Sequence, residues 1–275
     1  AVLPDIAPFA TDADAAVRRA AFRTLGSLGA AAQVPVMVGA LLALEPGDER
    51  RAAERAVVAV CTRNPGHEEA AQVFLKSFAA APETAQQSLL PILGAIGGGP
   101  ALAIVDALIA SPDPGKRALG LEALARWPDA TVAPRLLERV EKPRDQTERD
   151  LLLGALIRIA PLPDNKLDDA AKLALVKRTM ALCTTDDERA RLVQRASAIR
   201  TIDTFRFVVP CLDQPGLAAA ASQSVVELAH HRDLRDAHKA EFMAALDRVI
   251  ATTQDPEIAE RARRYKEGKT WERKR

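Results

Sequence analysis

Aromatic side chains are scarce in this sequence, at 4% of its 275 residues, and β-branched runs are rare. Strands favour β-branched and aromatic side chains, so this scarcity argues against a sheet protein. Apolar residues nonetheless make up 48% of the chain, and alanine and leucine, the strongest helix formers, are abundant. The composition therefore predicts an all-α protein with enough apolar surface for a sizeable core.

Long hydrophobic runs are missing as well. No stretch approaches the ~18 apolar residues of a transmembrane helix, and no signal peptide is visible, so we expect no membrane association. The 38 basic and 37 acidic residues almost cancel, which gives no overall field to attract nucleic acid. The chain begins at Ala1, inside an expected first helix. We therefore expect a fragment of a larger protein and leave its compartment open.

Cysteine is limited to three widely spaced residues, Cys61, Cys183 and Cys211, with no CxxC pair among them. This number and spacing exclude a disulfide framework and the common zinc motifs. We interpret the cysteines as buried thiols that act as small apolar side chains. A disulfide between Cys183 and Cys211 is the open alternative.

The densest group of metal-ligand side chains comprises His230, His231, Asp233, Asp236 and His238. A metal site needs three or four donors that converge on one point, which neighbouring residues in a loop rarely provide. No HExxH spacing supports such a site. We expect a polar connector between two helices here, and neither a metal nor another cofactor.

Motifs of the common enzyme classes are also missing. The sequence contains no GxSxG, no P-loop and no GxGxxG segment between a strand and a helix. The glycine run at 97–99 is interpreted as a turn between repeats. Acid pairs such as Asp168-Asp169 lie near predicted helix starts, where capping alone favours them. We expect no catalytic residues and no enzymatic activity.

Helix-breaking residues recur at intervals of roughly 30–40 residues, which indicates a repeat protein. Two apolar-periodic segments separated by a second break lie in each interval, so every interval predicts one antiparallel helix pair. The recurring breaks are Thr11-Asp12, Glu45-Pro46, Ala81-Pro82, Ser111-Pro112, Lys142-Pro143, Thr185-Asp186, Gln214-Pro215 and Asp255-Pro256. The predicted pairs are 1–30, 31–66, 67–98, 99–130, 131–165, 166–200, 201–235 and 236–275.

A finer pattern lies within these pairs, namely an acid at a helix start followed four residues later by an arginine. Such an acid caps free backbone N–H groups, and the spacing predicts an i,i+4 ion pair. The pattern occurs at Asp14 and Arg18, at Asp113 and Arg117, at Asp145 and Arg149, and in part at Arg189, where Thr185 replaces the acid.

The segment Asp14–Gly26 resembles the second helix of a HEAT repeat, with matches at Val17, Arg18, Ala21 and Leu25. Taken with the spacing of the breaks, the resemblance covers nearly the whole chain. It implies one array over 1–275, a right-handed α-α superhelix (α-solenoid) of about eight antiparallel helix pairs. It also implies that the shared acids and arginines form a structural ladder between turns. The rival interpretation is a solvent-facing arginine track for phosphates.

The C-terminal residues 257–275 are biased towards positive charge, with eight basic and four acidic side chains. Basic side chains interleaved with aromatic ones can bind a nucleic-acid backbone and stack on bases. The open alternative is a polar cap on the last repeat, with Tyr265 and Trp271 folded back onto its helix. The candidate contact residues are Arg261, Arg263, Arg264, Lys266 and Trp271.

The HEAT resemblance implies a binding function, because such arrays hold a peptide or a protein domain on a concave face lined by one helix per repeat. We therefore expect a non-catalytic, monomeric interaction scaffold with a protein or peptide partner; a catalytic domain fused to it in the parent protein stays open. The alternatives are a nucleic-acid-binding or DNA-repair protein similar to HEAT-like alkylpurine glycosylases, and a lyase accessory protein of the phycobilin type.

Overall fold

The computed structural model describes residues 3–163 and 166–271, and the chain divides into two compact units, Ala1–Pro128 and Asp129–Arg275. Helices and turns account for the described residues, and no β-strand occurs among them. The all-α prediction is thereby confirmed. Within these residues no helix is both long and apolar enough to cross a membrane.

The first unit contains α-helices joined by short turns and two 3-10 segments, Ala7–Thr11 and Ala31–Gln33. Helices α2, α4, α6 and α8 each pack against the next of this set, and α3 packs against α5. Its helices are α1 (Leu3–Ile6), α2 (Ala15–Leu28), α3 (Val34–Leu42), α4 (Asp48–Thr62), α5 (His67–Ala80), α6 (Glu83–Ile96), α7 (Gly99–Ile109) and α8 (Pro114–Ala125).

The second unit repeats this arrangement, with 3-10 segments at Ala130–Val132 and Val209–Asp213. Here α10, α12, α14 and α17 pack one on the next, and α9 packs against α11. Its helices are α9 (Ala133–Glu141), α10 (Gln146–Ile159), α11 (Asp169–Leu182), α12 (Asp186–Ala196), α13 (Ile202–Val208), α14 (Ala218–His230), α15 (Arg232–Ala237), α16 (Lys239–Thr252) and α17 (Pro256–Lys266). We call α2, α4, α6, α8, α10, α12, α14 and α17 the second helices.

Each of the recurring sequence breaks lies within the four residues before a second helix or includes its first residue. Asp113-Pro114 and Asp255-Pro256 show why: the acid caps free N–H groups, and the proline occupies the first helical position, where no N–H is needed. The second break of an interval follows the end of a second helix, as Gly29 follows α2 and the glycine run at 97–99 follows α6. Another second break was predicted at 161–164, where Asp164 lies outside the described residues.

Close approach between second helices depends on small side chains. A Cβ built on Gly94 of α6 would lie 2.1 Å from the carbonyl oxygen of Ala123 in α8. No side chain larger than hydrogen fits there, so Gly94 sets the distance between these helices. Large side chains fill the remaining core, among them the buried rings of Phe22 and Trp127.

Two expectations are corrected by the structure. Cys183 and Cys211 are buried free thiols, so the disulfide alternative is wrong. The connector expected after His230 contains a short helix, α15, whose Arg235 is only 2% exposed. The Arg235 guanidinium donates to the Ala229 carbonyl oxygen at 3.0 Å, so the end of α14 supplies a buried partner that holds α15 in place.

Candidate binding surfaces

The predicted acids lie where capping requires them. Asp14, Asp113 and Asp145 are the N-cap residues of α2, α8 and α10, and each carboxylate accepts backbone N–H groups of its own first turn. The carboxylate of Asp145, for example, accepts from Glu148 at 2.8 Å. Thr185 takes this position in α12 and forms a reciprocal capping box with Glu188.

The predicted arginines bind other partners than the acids four residues before them. Arg18 donates to both carboxylate oxygens of Glu49 in α4, at 2.8 and 3.0 Å, and also to the carbonyl oxygens of Asp12 and Ala13. Arg117 donates to two carbonyl oxygens just before α8. The i,i+4 pairs are replaced because each acid is already engaged by helix N–H groups, which turns it away from the arginine.

One of these bonds recurs along the chain. An arginine in the first turn of a second helix donates to the carbonyl oxygen six residues earlier, where the preceding helix or 3-10 segment ends. Carbonyl groups at helix ends lack partners within the helix, so a guanidinium that reaches them supplies the missing donor. The bonds join Arg18 to Asp12, Arg50 to Leu44, Arg117 to Ser111, and Arg189 to Cys183.

Arg149 links two consecutive second helices of the second unit. Its guanidinium lies 2.8 Å from the carboxylate of Glu188 and also donates to the Leu182 carbonyl oxygen and the Thr184 hydroxyl. The Arg149 hydrogen bond, assisted by the backbone N–H groups of Thr184 and Thr185, lowers the pKa of Glu188 from 4.5 to about 2. Arg149 therefore acts as a structural rung that is nearly withdrawn from solvent.

The four basic residues of the candidate C-terminal segment all have partners within the chain. Arg261 pairs with Glu227 at 2.8 Å, Arg263 with Glu260 at 3.5 Å, and Lys266 with Asp247, while Arg264 donates to the Thr270 carbonyl oxygen. Their charges are thus largely engaged. Lys269 pairs with Glu267 at 2.6 Å, and the last three basic residues, at positions 273–275, lie outside the described residues.

The aromatic residues of this segment face the same cations. Tyr265 is 1% exposed, and its hydroxyl lies 2.9 Å from Nδ1 of His230. The rings of Tyr265 and Trp271 both lie near Arg261, each with its centroid 6.0 Å from the guanidinium carbon. This geometry uses both rings for intramolecular cation–π contacts rather than leaving them free to stack on bases.

A groove of about 600 Å³ lies along the second helices of the second unit. We call it the alanine groove and define it by Ala190 and Gln194 of α12, Ala219 and Gln223 of α14, and Thr253 after α16. The Gln194 amide donates to the Gln223 side-chain oxygen at 2.8 Å across the groove. Three charged side chains also line the groove, namely Asp187, Arg191 and Asp255, and the first two form an ion pair.

The first unit carries a cavity of about 300 Å³ that the sequence interpretation missed. Four of the side chains around it are arginines. The sequence signal for two of them was the arginine doublet at 50–51, which is followed by Arg55 four residues after Arg51. We call the cavity the arginine pocket and define it by Arg51, Arg55, Val58, Arg63, Pro91, Ala95 and Arg126.

Residues 3–163 and 166–271 contain no group of three or more His, Cys, Asp or Glu side chains placed to hold a metal ion. His230 contacts Tyr265, and Nδ1 of His238 lies 3.8 Å from the Glu241 carboxylate, so these two members of the densest group of potential ligands have separate partners. In comparisons with known proteins, no family model matches the chain, and no curated protein matches it either.

Proposed function

We propose that this chain is a non-catalytic interaction scaffold that binds an extended peptide segment of a partner protein in the alanine groove. We further propose that each unit is an α-solenoid of HEAT-type helix pairs. Packing of second helix on second helix in both units supports this proposal, as does the recurring arginine–carbonyl bond. One pair cannot bury its apolar face alone, and stacking provides the missing partner.

The alanine groove is the observation that carries the proposal. Ala190, Ala219 and the backbone near Pro215 leave space between α12 and α14 that larger side chains would fill. Gln194 and Gln223 are hydrogen-bonded to one another. Their amides also have the donors and acceptors that a peptide backbone needs. The groove therefore suits an extended chain held by main-chain hydrogen bonds, with small pockets for alternate side chains.

The C-terminal cations already bind partners within the chain, which favours this function over nucleic-acid binding. Arg261 and Lys266 form ion pairs with acidic side chains, and Arg264 donates to a backbone carbonyl oxygen. A nucleic acid that bound this segment would have to break those contacts before it gained phosphate contacts. We therefore assign the segment a capping role on the last helix.

Selection of peptides from a random display library on the purified chain tests the proposal. We expect selected peptides to bind the chain, and Ala219→Arg, which fills the groove, to weaken them by about tenfold or more. Ala244→Arg is the matched control, because Ala244 is an exposed alanine of α16 that does not line the groove. Equal loss in both variants, or peptides that bind Ala219→Arg unchanged, would contradict the assignment.

A further inference from the structure

The arginine pocket brings together side chains from three second helices of the first unit, α4, α6 and α8, and from the residues just after them. Arg51 and Arg55 lie one turn apart on α4, so their side chains share a face of that helix. Arg63 follows the end of α4, and Arg126 follows the end of α8. Together they surround one cavity whose apolar wall includes Pro91 of α6.

Charge in this cavity is largely uncompensated. The Glu54 carboxylate, which also lines it, is engaged by Arg50 at 3.4 Å, and Arg51 pairs with Asp48. In the described part of the chain, Arg55, Arg63 and Arg126 form neither an ion pair nor a side-chain hydrogen bond. By contrast, Arg18, Arg50 and Arg117 in the same unit each bind a carboxylate or a carbonyl oxygen. The pocket thus brings three guanidinium groups without such partners around one cavity.

We propose that the arginine pocket binds a phosphate monoester carried on a small apolar group. Guanidinium groups donate paired N–H bonds that match the oxygens of phosphate, and several cations favour a doubly charged anion over a single carboxylate. Val58, Pro91 and Ala95 offer an apolar wall for the organic part. The cavity volume of about 300 Å³ is at the small end for ligand sites, which suits an aryl phosphate better than a nucleotide. This site is separate from the alanine groove and does not depend on its function.

Titration of the whole 275-residue chain with three probes tests the proposal. The probes are phenyl phosphate, inorganic phosphate and benzoate, which separate the contributions of charge and of the ring. We expect phenyl phosphate to bind most tightly, with inorganic phosphate and benzoate each weaker by about tenfold or more, measured by calorimetry at fixed low salt. Phenyl phosphate should also raise the melting temperature, because it binds only the folded chain.

Single substitutions locate the site. Arg55→Gln and Arg126→Gln should each weaken phenyl phosphate by about tenfold, since each removes one charge-assisted contact to the anion. Both side chains are exposed, so the circular dichroism spectrum should not change. Arg144→Gln is the control, because it removes the same charge from an exposed site in the second unit.

Three results would overturn the proposal. The first is benzoate affinity equal to that of phenyl phosphate, and the second is phenyl phosphate affinity unaffected by both pocket variants. The third is a short single-stranded oligonucleotide that binds more tightly than phenyl phosphate and loses affinity in the same variants, which would assign the pocket to nucleic acid. Peptide binding to Ala219→Arg is measured separately, so failure of either proposal is distinguished from failure of the other.

Discussion

The guanidinium of Arg149 lies 2.8 Å from the carboxylate of Glu188, and only 10% and 9% of the two side chains are exposed. The same carboxylate accepts the backbone N–H groups of Thr184 and Thr185, at 2.7 and 3.1 Å. Glu188 therefore caps the start of α12 and ties α12 to α10 at once. The capping of α12 and the contact between α10 and α12 therefore depend on one side chain.

Glu188→Gln should lower the free energy of unfolding by about 3 kcal/mol, because it leaves the buried Arg149 charge without its main partner. The measurement is urea denaturation followed by circular dichroism. Asp150→Asn is the control, since Asp150 also contacts Arg149 but is 56% exposed, and we expect about 0.5 kcal/mol or less there. Equal losses would show that burial does not govern this pair.

The same pair predicts a dependence of stability on pH. The pKa of Glu188 is lowered from 4.5 to about 2 in the folded chain, so its folded state binds fewer protons than the unfolded state between these values. Its stabilisation is complete above about pH 5 and is lost as the pH falls through the folded pKa. The difference in stability between the native sequence and Glu188→Gln should therefore be constant at neutral pH and shrink from about pH 4.5 downwards. A constant difference down to pH 2.5 would contradict the assignment.

Gly94→Ala should destabilise the first unit by about 2 kcal/mol or more, because the added methyl group would overlap the Ala123 carbonyl oxygen and push α6 from α8. Gly39→Ala provides the opposite control. Nothing lies within 4 Å of a Cβ at Gly39 in α3, so alanine should stabilise by about 0.5–1 kcal/mol through helix preference alone. The melting temperatures of both variants test these predictions. An unchanged melting temperature for Gly94→Ala would refute the close approach of α6 and α8.

The three buried thiols should react slowly in the native chain. Burial raises the pKa of Cys61 to about 12 and that of Cys183 to about 11, so at pH 8 about one thiol in a thousand or fewer is ionised. A chromogenic disulfide reagent should label the native chain little within minutes and release three equivalents in concentrated urea. Rapid labelling without urea would show that these positions open to solvent.

Helix positions could be predicted from the sequence because their signals are local. Asp113 and Asp255 cap the helices that follow them, and proline at the next position adds no unsatisfied donor. The helix α15 was missed, because its six residues carry no cap that a sequence pattern detects. It depends on Arg235, which reaches the end of α14 and lies 5.7 Å from the Tyr265 ring.

The candidate sites were harder to predict, because their residues meet only after the helices stack. Arg126 joins Arg51 and Arg55 in one pocket although it follows a different helix. The acid-and-arginine pattern predicted an ion pair between Arg18 and Asp14, whereas Arg18 pairs with Glu49. Glu49 lies in α4, 31 residues further along the chain, so the residue spacing within α2 could not predict it as the partner. Spacing predicts which helix face a residue shares, whereas partners across helices depend on packing.

Packing of each second helix on the next one along the chain has a consequence for how the protein acquires its structure. The bonds between second helices span short stretches of sequence, as in the 31 residues from Arg18 to Glu49 and the 39 from Arg149 to Glu188. Contacts of such short range form quickly in folding, because little chain has to be ordered before each of them closes. A nascent chain of this kind can therefore acquire structure from its N-terminal end as it leaves the ribosome, once a few neighbouring helices are available to pack on one another.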